Sequence, residues 1–301
     1  MADLTTSLCG AKMKNPLVLA SGIRGNSAGL LIRAAKEGAG AATSKSCSLL
    51  AREGHKNPSA LEFDSYMVNA IGLSNPGVDA EVHEISRAVK EAKIPIIASI
   101  YAGSSEEFAL VAKKMSQAKP HLIELDASCP NIHSEGKMFS SSPESASEIV
   151  RAVKKDVKNI PISIKLSANV PNIGDIALSC QRAGVDCITA INTLPAMIID
   201  VHARRPVLAN KYGGLSGPAI FPVALRSVNE IRNSCSLPII GGGGVTSGED
   251  AAAMLMAGAN AVSVGTALYY HKNAFAKISD ELQSYMNEQG FSKISQIKMQ
   301  N

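Results

Sequence analysis

Short apolar, β-branched runs recur along the whole chain, and between them lie stretches whose apolar residues return every three or four positions. The runs at 16–21, 39–44, 94–100, 122–128, 162–167, 187–192, 238–241 and 261–265 predict strands. The stretches at 80–92, 105–117, 144–157, 173–183, 222–234 and 248–257 predict amphipathic helices. Strands alternating with helices imply parallel pairing through right-handed crossovers. Within 301 residues, this repeat fits an α/β (β/α)8 TIM barrel, a single domain spanning 1–301, better than an open sheet. Long connections at about 47–76, 129–141 and 193–218 follow strands, and the C-terminal ends of barrel strands are where function is expected. Residues 4–14 read as a small hairpin closing the opposite end.

Composition narrows the class. The chain is 46% hydrophobic and 19% charged, enough apolar material for a large core. Its net charge of +4 is scattered, with no basic run of the kind that binds nucleic acid. Six cysteines are widely spaced with no C-x-x-C pair, which reads as reduced thiols rather than disulfides, a metal site or an iron–sulfur cluster. The first 15 residues lack a signal-peptide apolar region, and no run of 18 apolar residues occurs, so the expectation is a cytoplasmic protein without a membrane span.

Candidate chemistry gathers at strand ends. The seventh predicted strand runs into Gly241, Gly242, Gly243 and Gly244, and the eighth ends at Val264-Gly265-Thr266. Glycines let backbone N–H groups approach an anion, and a following helix N-terminus favours negative charge. Barrels commonly bind phosphate at these two loops, although tight turns alone would also use glycine. Lys45 and Lys165 each end a strand. From there a lysine holds a carboxylate, stabilises a developing anion, forms a Schiff base, or reaches solvent along the rim. Successive N–H groups at Ile71, Gly72 and Leu73, beside Asn69 and Ala70, form either an anion-binding nest or a turn. Cys129 leaves the fourth strand in Ser128-Cys129-Pro130-Asn131. One cysteine among six is more often a core residue, but this setting faces a ligand, and a thiolate can act as base toward a carbon acid. The other five thiols have no comparable setting, and His133 reads as a surface residue of the loop.

Several of these motifs occur together, in this order, in one family. The chain resembles, along nearly its full length, the catalytic flavin subunit of class 1 dihydroorotate dehydrogenases. The family's Asn-x-Ser-Cys-Pro-Asn stands here as Asp126-Ala-Ser-Cys129-Pro-Asn131, and Asn-Ala-Ile-Gly-Leu-x-Asn-Pro-Gly is matched at 69–77. Stretches at 191–194, 205–211 and 213–220 look like the type B form, which pairs with an iron–sulfur flavoprotein electron-transfer subunit. The resemblance implies FMN in the barrel mouth, its phosphate on Gly243, Gly244, Gly265 and Thr266. Ser21, Gly22, Lys45, Ser46, Ser99, Asp126, Lys165, Ile191 and Gly217 would line the rest. It implies the dihydroorotate carboxylate on Asn69, Ala70, Ile71, Gly72 and Leu73 near Lys45, and the ring on Asp126, Asn131, Asn192 and Thr193. Cys129 would take the C5 proton as a hydride leaves C6 for the flavin, with Lys165 at the N1/O2 edge. The implied activity is oxidation of dihydroorotate to orotate in pyrimidine (UMP) biosynthesis, by a homodimer or by a heterotetramer with that subunit.

Three positions depart from the family pattern. Asp126 and Ser99 stand where asparagine is usual, and Asn57-Pro-Ser-Ala-Leu61 lacks the arginine of the usual Asn-Pro-x-Pro-Arg. Asp126 points to a neighbouring activity on another dihydropyrimidine such as dihydrouracil. From a different class, Lys165 leaves open a flavin-free, phosphate-binding Schiff-base lyase.

Overall fold

A computed structural model describes residues 2–128 and 138–300. The chain opens with a hairpin, β1 (Thr6–Leu8) and β2 (Ala11–Met13), followed by β3 (Leu17–Leu19), α1 (Ala28–Lys36) and β4 (Ala41–Thr43). A first excursion carries β5 (Ala60–Glu62) and β6 (Met67–Asn69) before α2 (Val78–Glu91) and β7 (Ile96–Ile100). Next come α3 (Ser105–Met115), β8 (Leu122–Asp126), α4 (Pro143–Asp156), β9 (Ile162–Leu166), α5 (Ile173–Arg182) and β10 (Cys187–Ala190). A second excursion holds β11 (Leu194–Met197), β12 (Ile199–Asp200), β13 (Arg205–Pro206) and β14 (Tyr212–Ser216). Then follow α6 (Phe221–Ser234), β15 (Ile239–Gly242), α7 (Gly248–Met256), β16 (Ala261–Val264), α8 (Ala267–Tyr270) and α9 (Ala274–Glu288).

The strands β3, β4, β7, β8, β9, β10, β15 and β16 pair in parallel and close into a barrel, as the alternation of strands and helices predicts. Side-chain alternation splits each strand between two environments. Leu17, Leu19, Ile96, Ile123, Leu125, Ile162 and Ile164 face the helices and belong to the main core. The alternate positions point into the barrel. At the N-terminal end, Val18, Ala41, Ile97, Leu122, Cys187 and Ile240 form a separate apolar plug with Leu8 and Met13 of the hairpin. The hairpin therefore seals that end, in agreement with the reading of 4–14. One layer toward the mouth the inward positions turn polar: Thr43, Ser99, Glu124, Ser163 and Thr189 are all buried there.

The helices are set by local signals. Ser27, Ser104, Ser142, Asn172 and Ser247 cap α1, α3, α4, α5 and α7 by accepting a hydrogen bond from the first turn, each contributing about 1 kcal/mol. Helices α1, α8 and α9 stand outside the predicted set, α8 being a single turn. Helix α1 is only nine residues long, and α9 comes after the last strand, with Phe275, Ile278, Leu282 and Met286 as its buried stripe. The two excursions are not independent loops, since β11, β14, β6 and β5 form one antiparallel sheet that joins them. No helix among the described residues is long and apolar enough to cross a membrane.

Candidate active site

All barrel strands end at one face, and the expected site residues stand on those ends. Ser21 and Gly22 follow β3, Lys45 and Ser46 follow β4, and Ser99 lies in β7. Asp126 ends β8 opposite Lys165 of β9, and Ile191 follows β10. Gly243 and Gly244 follow β15, and Gly265 and Thr266 follow β16. Cys129 and Asn131, with His133, lie outside the described residues. Ser128, directly before Cys129 in sequence, is buried at the exit of β8.

Asp126 is buried and held by serines. Its Oδ1 accepts from the Ser128 hydroxyl at 2.7 Å and from the Ser128 N–H at 3.4 Å, and its Oδ2 accepts from Ser46 Oγ at 3.3 Å. Ser46 Oγ also lies 3.1 Å from Ser21 Oγ and 2.9 Å from Ser99 Oγ. Asn192 donates from its side chain to the Ser128 carbonyl at 3.3 Å, which brings the exit of β10 against that of β8.

The glycine loop is built by close approach. Gly243 and Gly244 have φ of 135° and 80°, a region that favours glycine. A Cβ on Gly244 would lie 2.7 Å from the Gly217 carbonyl, and one on Gly243 would lie 2.9 Å from the Ala224 Cβ and 3.3 Å from Ile191. Gly217, Ile191 and the loop after β15 are thus one packed unit. The expectation that α7 would present its N-terminus to an anion needs correction. Its first N–H groups are taken by protein: Thr246 and Ser247 N–H donate to Asp250, Asp250 N–H to Ser247 Oγ, and Gly248 N–H to Glu281. Gly243 and Gly244 lie before this capped turn, and Gly265 and Thr266 lie between β16 and α8.

The loop after β6 is braced from below. Asn69 pairs with Gly214 of β14, and Thr193 packs so closely on Gly214 that a Cβ there would collide with its hydroxyl. Gly72 and Leu73 both have left-handed φ, 77° and 59°. Their neighbours' carbonyls are tied back: Ile71 accepts from the His55 N–H at 3.0 Å, and Ala70 meets His55 Nδ1 at 3.1 Å. Leu73 accepts from Tyr101 Oη at 3.2 Å and from Asn75 Nδ2 at 2.9 Å. Ser48 and Asn75 donate in turn to Tyr101 Oη, both at 3.0 Å. Such bracing fixes the N–H side of 71–73 without relying on a ligand.

Sequence reasoning missed His55, Tyr101 and Glu124. Glu124 is wholly interior on β8, and burial pushes its carboxyl up, against the pull of the Lys165 charge and with a further push from Asp126. Its signal in the sequence was parity, because it stands two residues before Asp126 and so points the same way. The remaining cysteines behave as expected of core thiols where they are deeply buried. Burial pushes Cys47 up and Cys180 up to about 12, values that keep a thiol inert near neutral pH. Among the described residues, no group of three or more His, Cys, Asp or Glu side chains is arranged to hold a metal ion.

Comparison with known proteins points to one family. The family model for dihydroorotate dehydrogenase matches residues 3–286. The chain is 45% identical over 293 residues to the dihydroorotate dehydrogenase B (NAD(+)) catalytic subunit of Methanocaldococcus jannaschii, covering 96% of this chain and 95% of that one. To the protein of the same description from Pyrococcus abyssi it is 41% identical over 295 residues, covering 98% and 97%. A crystal structure of the Eimeria tenella dihydroorotate dehydrogenase in complex with ferulenol superposes with a TM-score of 0.85 at 18% identity, over 97% of this chain and 86% of that one, which supports the fold. Matched by the family model over most of its length and by relatives above 40% identity end to end, the chain belongs to the dihydroorotate dehydrogenase family.

Proposed function

We propose that the chain oxidises dihydroorotate to orotate, the redox step of pyrimidine (UMP) biosynthesis, with FMN held in the barrel mouth. The observation that carries this reading is the convergence of Lys45, Lys165, the glycine cradle and the braced 69–73 loop on one face of the barrel, in a chain of this family. A flavin mononucleotide fits the residues present. Where a Cβ would stand on Gly22 nothing lies within 4 Å, and on Gly265 nothing lies nearer than 3.5 Å, so backbone faces open space at these strand ends, and the inward layer beneath the mouth is polar rather than apolar. Gly243, Gly244, Gly265 and Thr266 would hold the phosphate, and Ser21, Gly22, Ser46, Ser99, Asp126, Ile191 and Gly217 the rest.

When bound, the flavin supplies a two-electron acceptor that no side chain offers. The chain's own residues do the remainder. Asn69 and the N–H groups of 71–73 receive the substrate carboxylate, with Lys45 as the nearby cation. Asn192 and Thr193, with Asn131, orient the ring. Asp126 offers acceptor oxygens to ring N–H groups, in keeping with a carboxylate already held in place by Ser46 and Ser128. Cys129 removes the C5 proton, and Lys165 presents positive charge where negative charge accumulates.

The relatives named above are catalytic subunits of NAD(+)-linked enzymes. We extend that to this chain as a partner subunit with an iron–sulfur centre that takes the electrons onward, joined to a homodimer of this chain in the cytoplasm. The FMN-loaded protein, given dihydroorotate and an artificial electron acceptor, is expected to form orotate. Cys129→Ala should lower that rate roughly 10²–10⁴-fold while retaining flavin. Flavin-loaded protein that yields no orotate would refute the assignment.

A further inference from the structure

Beneath the mouth, hydroxyl groups join the site to a carboxyl sealed inside the barrel. Ser21 Oγ lies 3.1 Å from Ser46 Oγ, Ser46 Oγ lies 2.9 Å from Ser99 Oγ, and Ser99 Oγ donates to Glu124 Oε1 at 3.0 Å. Ser21 is partly exposed at the mouth, whereas Ser46, Ser99 and Glu124 are buried, so the chain of contacts runs inward from solvent to a closed end. Below Glu124 lies the apolar plug, which offers no second route.

The hydrogen-bond directions give this chain two complete states. A serine hydroxyl carries one hydrogen and accepts on its lone pairs, and it rotates freely between the two tasks. With Glu124 ionised, Ser21 donates to Ser46, Ser46 to Ser99 and Ser99 to Glu124. With Glu124 protonated, Glu124 donates to Ser99 and Ser99 to Ser46, and the single Ser46 hydrogen turns either to Ser21 or to Asp126 Oδ2, 3.3 Å away. Ser46 therefore has an acceptor in both states, and no buried hydroxyl of the chain is stranded in either.

We propose that Glu124 is the proton-storing end of a relay through Ser21, Ser46 and Ser99, by which the barrel interior exchanges one proton with the mouth when the charge above Lys165 changes. This inference rests on the flavin reading of the mouth. As negative charge builds up there, a proton from water joins the Ser21 oxygen. The Ser21 hydrogen passes to Ser46, that of Ser46 to Ser99, and that of Ser99 to the Glu124 carboxylate, where a new O–H bond forms. One proton has left the water, one carboxylate has been neutralised and no electron has moved. The proton returns by the reverse path when the negative charge leaves.

The surroundings of Glu124 suit a carboxyl that changes state. Lys165 on β9 favours the ionised form, while burial and Asp126 on its own strand favour the neutral one. The buried Cys187 thiol on β10 also feels its charge. Thr189 on β10 comes up to the same carboxyl without good hydrogen-bond geometry, and the Ser163 hydroxyl, whose residue is in register with Glu124, has no partner among the described residues. A neutral Glu124 would have its own O–H to offer them.

The test is infrared difference spectroscopy on FMN-loaded protein whose flavin is photoreduced without dihydroorotate, with proton uptake followed by a pH-indicator dye. Reduction should produce a protonated-carboxyl band and an accompanying uptake, and Glu124→Gln should lose both. Ser99→Ala keeps the carboxyl but cuts the relay, so the band and the uptake should be strongly slowed; Ser99→Ala matching wild type in rate would overturn the relay. A carboxyl band that persists in Glu124→Gln, or no band in wild type, would overturn the proposal. Because light drives the reduction, failure of dihydroorotate to reduce the flavin would count against the assigned substrate alone. A protein that takes up no flavin would sink both.

Discussion

Glu81 on α2 is 1% exposed, and its Oε1 has no hydrogen-bond partner among the described residues. Burial first, and then the charge of Glu84, push its carboxyl up from 4.5 to about 7, against the pull of Lys45. A carboxyl that binds its proton more tightly folded than unfolded favours the folded state most fully below its unfolded value. That advantage is lost as pH rises through the folded value. Wild type should therefore lose roughly 2–3 kcal/mol of stability between about pH 4.5 and 8 that Glu81→Gln does not lose. Denaturant unfolding at several pH values reads this directly, and parallel curves for the two proteins would contradict it. Lys45, after β4, is the opposing charge that Glu81 feels.

At the scale of elements, the loop after β6 depends on a strut from the barrel. Tyr101, next after β7, joins the Leu73 carbonyl to Ser48 and Asn75 through its hydroxyl. Tyr101→Phe keeps the ring and removes the strut, a loss of about 1 kcal/mol. It should raise KM for dihydroorotate severalfold while flavin affinity stays unchanged. An unchanged KM would show that the loop holds its shape without the strut. The barrel strands were legible in the sequence because each is buried on both faces and reads as an apolar run. The excursion sheet was not, because β5 and β6 are three residues long and β14 contains Gly213 and Gly214, which leaves no alternation to detect. Within the site, the glycines and lysines at strand ends stood out as breaks in apolar runs. Glu124 is also a polar break, but it stands inside a strand, where only the inward parity of the finished barrel shows that it faces the same space as Asp126. At the N-terminus of α7, Asp250 acts locally in the Ser247-x-x-Asp250 capping box, whereas Glu281 reaches Gly248 only once α7 and α9 are packed.

The whole molecule is a barrel closed by apolar side chains at one end and polar at the other, so everything that reacts must enter and leave by the mouth. Electrons must leave there too. The chain carries no G-x-G-x-x-G segment for a dinucleotide, and in the proposed arrangement NAD(+) is bound by the partner subunit. Co-expressed with the proposed electron-transfer subunit, the protein should run in native mass measurements as a complex larger than a dimer of this chain. NAD(+)-linked turnover by this chain alone at the full rate would contradict that arrangement.

The central claim is tested most directly by mixing the flavin-loaded protein with L-dihydroorotate without oxygen and following the visible flavin absorbance. Rapid bleaching in wild type, slowed roughly 10²–10⁴-fold in Cys129→Ala, is the predicted result. Absence of bleaching with dihydroorotate, together with bleaching by dihydrouracil, would contradict the account and assign Asp126 to a different pyrimidine.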